Sequence, residues 1–344
     1  MGQRGFWDEE ERIEKLRRKK PVLTILSESI PWESFRSLLE QGYSHERKSN
    51  AGRKRIDPLI LFKMLVLQQL FNLSDEELEF QANDRRSFEE FIGLGVINSI
   101  PDATTVAFFR ERLRKAGVIE GLFDHFEKHL RAQGLEARGG QIIDATLVPV
   151  PKQRNTRTEN EAIKQDKLPE GWEDRPNRLQ QKDLQARWAK KNGVSHYGYK
   201  NSICIDAAHG FIRRYVVTPA NIHDSQMLAH VLDPENSDDL VWADSGYSGL
   251  KFEELLELAG FESCIHEKGT KNHPLSEEAK ARNKLRSKIR ARVEHVFGGM
   301  ATCMGGKLTR QIGLARNVAW WGLKNLTYNF LRYLHCTGAK FAAT

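Results

Sequence analysis

Residues 141–150, QIIDATLVPV, form a β-branched apolar run interrupted by one carboxylate, Asp144, and closed by Pro149 and, just beyond, Pro151. Such side chains suit a pleated, half-buried surface, and proline does not continue a central strand, so the stretch reads as a strand. It follows Gly139-Gly140, and the chain before that pair has helical periodicity instead. The change of period at one point predicts a helical N-terminal part, residues 1–135, followed by an α/β part, residues 136–344.

In the first part, "DPLILFKMLVLQQLFNLSDEELEFQA" starts a helix after Pro58, with Leu61, Met64, Leu65, Leu67 and Phe71 at helical spacing. Ser74 followed by Glu77 is a capping box that opens the next helix. In "PDATTVAFFRERLRKAG", Asp102 or Thr104 is the expected N-cap, Val106, Phe109 and Leu113 share a face, and Gly117 stops the helix. The pattern predicts a small all-α domain; whether it contains a DNA-reading helix pair stays open.

Outward from Asp144 in the other direction, "NSICIDA" and "FIRRYVVTP" read as a hairpin turning at Ala208-His209-Gly210. Next come a short helix "DSQMLAHVL", a strand "VWA" ending in Asp244, a helix "LKFEELLELAG" and a strand "FESCIHE". A long helix from about Glu277 through Phe297 follows, and a last apolar helix, "VAWWGLKNLTYNFLRYL", is expected to pack on the core. Between the first strand and the hairpin lies a polar stretch, 151–195, with 11 basic and seven acidic residues, read as an inserted loop or partly ordered arm.

Charge narrows the function classes. The chain of 344 residues carries a formal charge of +7, and its basic residues are clustered. Lys268 to Arg316 holds 12 Lys or Arg against three acids, a local balance of +9. A second knot, Arg47, Lys48, Arg53, Lys54 and Arg55, lies near the N-terminus. So one-sided a balance points to nucleic acid. No apolar run is long enough to span a bilayer, which argues against a membrane location. Cys204, Cys264, Cys303 and Cys336 lie far apart without a C-x-x-C pair, against a structural zinc site and in keeping with cytosolic thiols.

Three carboxylates stand out in this basic setting. Asp144 lies in the first strand, Asp244 at the end of the fourth, and Glu294 on the long helix. Alone, Asp244 before Ser245-Gly246 fits an ordinary turn. In "KIRARVEHVFG", Ile289, Val293 and Phe297 form the buried stripe, Glu294 sits beside it, and Arg290 is one turn away. By itself Glu294 could be half of a surface ion pair with Arg290. Three acids at one sheet edge would repel one another unless divalent cations lie between them. Hard oxygen donors suit Mg²⁺ or Mn²⁺, and two such ions about 4 Å apart can drive phosphoryl transfer. The surrounding Lys and Arg would hold a DNA backbone against them.

With these residues in view, the chain resembles the DDE transposases of bacterial insertion sequences, most closely insertion-sequence family five. The resemblance rests on "DPLILFKMLVLQQLFNLSDEEL", "PDATTVAFFRERL", "IIDATLV", "HYGYK", "ANIHDS", "ADSGYSG" and "RARVEHVFG", and covers nearly the whole chain. It implies a ribonuclease-H-like mixed sheet flanked by helices, with Asp144, Asp244 and Glu294 as the catalytic, metal-binding triad. Two Mg²⁺ (or Mn²⁺) ions, double-stranded DNA as element ends and target, a homodimer on DNA and a cytoplasmic, nucleoid-associated setting are implied with it. The family signature is Tyr, two residues, Arg, three residues, Glu, six residues, Lys. Arg290 and Glu294 fit; Ser287 stands at the Tyr position and Ala301 at the Lys position, with Lys307 six residues further on. Gly298-Gly299 and Gly305-Gly306 suggest that the helix ends early.

DNA contacts are expected from Arg290, Lys200, His196, Tyr247, Lys288, Arg292, Lys307, Arg53, Lys54 and Arg55. "HYGYK" could equally be the start of an edge strand packed by its aromatics, while His223 and Asp224 are expected to cap a helix rather than bind metal. Two rival readings stay open: a ribonuclease-H-like nuclease without strand transfer, and a DNA-binding repressor with an inert core. The helical N-terminal part and basic clusters favour the transposase over the first; the intact carboxylates speak against the second.

Overall fold

The computed structural model describes residues 14–15, 18, 22–43, 55–94, 99–191, 193–270 and 272–338. The chain divides into two compact units, Met1–His125 with Leu326–Thr344, and Phe126–Asn325.

The first unit is helical: α1 (Val22–Ser29), a 3₁₀ turn Trp32–Phe35, α2 (Arg36–Glu40), α3 (Pro58–Phe71), α4 (Asp75–Asp84), α5 (Arg86–Ile92) and α6 (Ala103–Lys115). Local chemistry sets these boundaries. The Asp57 carboxylate accepts from Leu59 N, Pro58 occupies the first turn of α3, and Asn72 closes it in the left-handed region. Asp102 caps α6 by accepting from Thr105 N. Ser74 accepts from Glu77 N at 3.1 Å as expected. The Glu77 carboxylate accepts from the Gln81 amide one turn on. An aromatic cluster forms the core: Trp32 meets Phe62, Phe91 and Phe330 edge-on at centroid distances of 6.0, 5.5 and 5.6 Å. A buried Arg110 pairs with Asp75 at 2.7 Å and donates to Gln68, tying α6 to α3 and α4.

In the second unit, after α7 (Val118–Ala132), β1 (Gln141–Pro149) is central. It pairs antiparallel along its whole length with β3 (Val194–Asp206), and parallel with β5 (Leu240–Trp242), which pairs with β6 (Glu262–Ser263). The long β3 pairs antiparallel with β4 (Ile212–Pro219) along Tyr199–Ile205 and with β2 (Arg187–Lys191) along Val194–Gly198. The result is a six-stranded mixed sheet. One face is closed by α10 (Leu228–Val231) and α11 (Leu250–Leu258), which bury Leu228, Val231 and Leu256 with Ile143, Cys204 and Tyr247. The face that carries Asp144 and Thr146 meets α12 (Glu277–Thr302) and the loop after it. The first part of α13 (Leu314–Cys336) reaches the same face, with its Asn325 hydrogen-bonded to Asn201.

Two glycines answer to close approach. At Gly140 a Cβ would lie 2.4 Å from the Trp242 ring, and at Gly198 one would lie 2.1 Å from Val148 O; both have positive φ. Gly198 is the glycine of "HYGYK", so that motif's spacing is fixed first by strand packing.

Two expectations are corrected. The polar stretch 151–195 is no loose arm: it contains α8 (Arg157–Lys164), α9 (Pro176–Gln180) and β2. A buried Trp172 anchors it, its indole donating to Glu159 at 2.9 Å. A buried Asp183 ties it to the sheet, accepting from Tyr199 Oη at 2.7 Å and from Gly313 N at 3.1 Å. The long helix does not end at Phe297 but runs through Gly298-Gly299 to Thr302, because Val296, Phe297 and Met300 are buried along it. Burial there outweighs the weak helix propensity of glycine. Among the described residues no helix is long and apolar enough to cross a membrane.

Candidate active site

Asp144 sits mid-strand, where the sheet buries it to 8% exposure, and its Oδ1 accepts from Ala145 N at 2.7 Å. The other oxygen, Oδ2, accepts from Arg290 Nη1 at 2.9 Å. That same nitrogen lies 3.5 Å from Glu294 Oε1, so α12 brings a guanidinium and a carboxylate to β1 together. Asp244 follows β5, the parallel neighbour of β1, and its Oδ1 accepts from Gly246 N at 2.7 Å as the cap of a 3₁₀ turn, Ser245–Tyr247. The turn role and a place beside Asp144 are therefore compatible.

The electrostatics tie these groups to one neighbourhood. Burial pushes the Asp144 carboxyl up to about 6; the bond from Ala145 and the charge of Arg290 oppose this, and the charges of Asp244 and Glu294 add to it. Tyr247 lies beneath at 1% exposure, its pKa raised by burial and by Asp224, Asp144 and Asp244. Lys307 donates to Thr146 Oγ1 at 2.8 Å on β1, and burial lowers its pKa while Glu294 and Asp144 act to raise it. His266, after β6, has its pKa lowered by burial and by Arg290, against the charge of Asp244.

A model of the transposase DDE domain matches residues 136–330, more than half of the chain and all three carboxylates. The chain belongs to the transposase DDE domain family. A second model, a transposase domain (DUF772), matches residues 11–112 of this DDE transposase. Among solved structures, a cryo-EM structure of a piggyBac transposase synaptic complex with hairpin DNA is similar at 10% identity and a TM-score of 0.46, over 94% of this chain and 77% of that one.

The remaining predicted site residues fall into distinct settings in this DDE transposase. Lys307, displaced from its signature position, is nevertheless brought to β1. Ser287, at the signature tyrosine position, donates to Asn283 O at 2.8 Å and lies 3.3 Å from His266 Nε2. Lys200 is engaged by Asp224 Oδ1 and Ile222 O, each at 2.7 Å. Its ammonium positions the loop after β4 rather than facing outward. His223 caps the 3₁₀ turn Asp224–Met227 as expected, and Asp224 pairs with Lys200 instead of capping. Tyr247 is too buried to touch a macromolecule directly, and it packs in the core with Ile143 and Cys204. Arg292 donates to Ala207 O, Lys288 is exposed, and His196 is half-buried opposite Ala189. Arg55 stacks over Tyr43 in the first unit; Arg53 and Lys54 lie outside the described residues. Thr146 and His266 were not singled out from the sequence. Thr146, two residues from Asp144 on the same strand face, was the one with a readable signal.

The donor set is of the kind that Mg²⁺ or Mn²⁺ takes, hard carboxylate oxygens. Among the described residues, no three His, Cys, Asp or Glu side chains converge closely enough to hold a metal ion. Asp144 and Glu294 are joined through Arg290 instead.

Proposed function

We propose that this chain is the transposase of a bacterial insertion sequence of family five, binding the element's terminal inverted repeats and catalysing strand cleavage and strand transfer. The observation that carries this reading is the sharing of Arg290 between Asp144 and Glu294, within the field of Asp244, inside a chain of the transposase DDE family. The strand order, an antiparallel run β1-β3-β4 flanked by parallel β5 and β6, supports a ribonuclease-H-like core.

Asp144, Asp244 and Glu294 are the groups that would hold two Mg²⁺ or Mn²⁺ ions, which when bound activate an attacking oxygen and stabilise the leaving one. Arg290 offers a guanidinium to the phosphate on the same side, in the planar geometry that recognises phosphate oxygens. Lys307 adds a cation beside Thr146. Ala145 N holds the Asp144 carboxylate in place from within β1. The helical N-terminal unit, with its Arg55, is assigned to reading the terminal repeat, because a core that joins ends to many targets cannot itself be sequence-selective. Holding two ends at once calls for a homodimer on DNA, acting at the nucleoid.

The test uses purified full-length chain on duplexes bearing the element ends. Asp144→Asn, Asp244→Asn and Glu294→Gln should each abolish nicking and joining while leaving end binding in a gel-shift assay intact. Chelation should do the same. Normal cleavage by any one variant removes that residue from the catalytic set, and hydrolysis without joining favours the nuclease reading.

A further inference from the structure

The segment between β1 and β3 makes a surface that the proposed chemistry does not use. Side chains directly paired across strands lie on one face of a sheet, and alternate residues share it. Asp144 pairs with Ile203, Val148 with Tyr199, and Tyr197 with Trp188, so Trp188 on β2 shares the face of Asp144. Side-chain contacts agree: Tyr197 and Tyr199 both reach Asp183, and the Trp188 and Tyr197 rings lie 5.1 Å apart. Trp188 is nevertheless 45% exposed, an unusual place for a large aromatic ring on a polar edge strand.

Cations surround it. Lys152 Nζ lies 5.6 Å from the Trp188 ring centroid. Lys152 also lines a groove of about 320 Å³ between the inserted segment and the loop after α12, opposite Arg310. Lys190 and Lys191 continue β2, and the charge of Lys191 is felt by Lys307, which itself reaches Thr146 beside Asp144. Among the described residues, Lys152, Lys190, Lys191 and Arg310 have no carboxylate partner, whereas Arg178 in the same groove is committed to Glu159 at 2.6 Å. An exposed indole flanked by uncommitted cations is the pairing that grooves for single-stranded nucleic acid use: phosphates meet the cations, and an unpaired base stacks on the ring.

We propose that Trp188, with Lys152, Lys190 and Arg310, seats an unpaired DNA strand leading away from the carboxylates. This rests on the transposase reading and adds to it a contact to a base rather than to the duplex backbone.

The experiment measures equilibrium binding of the full chain, with metal chelated, to a plain duplex and to the same duplex with a short single-stranded extension. Wild type should prefer the extended form by roughly tenfold, the scale of one stacked base. Trp188→Ala should erase that preference and leave duplex affinity unchanged, which also shows that the variant is folded. Trp188→Phe should keep most of it. Replacing Lys152 and Arg310 together by Ala should weaken binding of the extended form and flatten its salt dependence. An unchanged preference in Trp188→Ala, or none in wild type, overturns the proposal while the transposase reading stands. Failure to bind either DNA would overturn both.

Discussion

Arg290 Nη1 donates to Asp144 Oδ2 at 2.9 Å and lies 3.5 Å from Glu294 Oε1, so one guanidinium stands between carboxylates 150 positions apart in the chain. Its charge is among the forces that hold the Asp144 pKa down against burial and two neighbouring acids.

Removing that charge should raise the Asp144 pKa above its present value of about 6. If ionised Asp144 is required, the acid limb of the cleavage rate must move to higher pH in Arg290→Gln. For a rise of about one pKa unit, the loss at pH 6 should be about fivefold beyond the loss at pH 8, because wild-type Asp144 is itself about half protonated at pH 6. A pH–rate profile of kcat/KM reads this directly, and an acid limb at the wild-type position would uncouple the two residues.

The basic face of α12 divides by partner. Arg282 is committed to Glu267 at 2.8 Å, while Lys284 and Lys288 are exposed and have no carboxylate partner among the described residues. Lys284→Ala and Lys288→Ala should therefore each weaken DNA binding across sequences and reduce the slope of log affinity against log salt by about 1. Arg282→Ala should change the slope less. Titrations at several salt concentrations separate these outcomes; equal slopes for all three would remove α12 from the DNA track.

Asp206 is fully buried and accepts from Arg213 Nε at 2.9 Å, while Arg213 Nη1 reaches Glu127 at 2.7 Å. Its carboxyl stays below the usual range because bonds from His209 and the charge of Arg213 outweigh burial. Asp206→Ala leaves a buried guanidinium partly uncompensated and should cost about 3–5 kcal/mol in urea unfolding. Because the folded-state pKa is depressed, this contribution is present above the unfolded carboxyl pKa and fades as pH falls through the folded one. A cost under about 1 kcal/mol would mean that the network adds little.

Lys324, fully buried on α13, donates to Met304 O at 3.0 Å, and burial lowers its pKa to about 7. Between that value and the unfolded one of 10.5, the unfolded chain holds more protons, so stability rises with pH across the window. The penalty is complete below about 7. Lys324→Met should raise thermal stability most at pH 6 and least near pH 10, by roughly 2 kcal/mol at the acid end after loss of the Met304 bond. A gain independent of pH would assign it to packing alone.

What the sequence determined by itself was local. The caps Ser74 and Asp102, the strand at 141–149, the hairpin after it and the turn at Asp244 follow from short-range hydrogen bonding and side-chain periodicity. The three carboxylates could be picked out because acids in so basic a setting need a reason. Only the tertiary structure decided which groups meet. Arg290 reaches a strand 146 residues upstream, Lys307 reaches Thr146, and Asp183 turns a polar stretch into an anchored part of the sheet. It also decided that α12 continues through Gly298-Gly299, because buried neighbours on one face outweigh two poor helix formers. Such contacts depend on how elements pack across long sequence separations. Local pattern fixes which way a side chain faces on its own element, and packing alone decides what it faces.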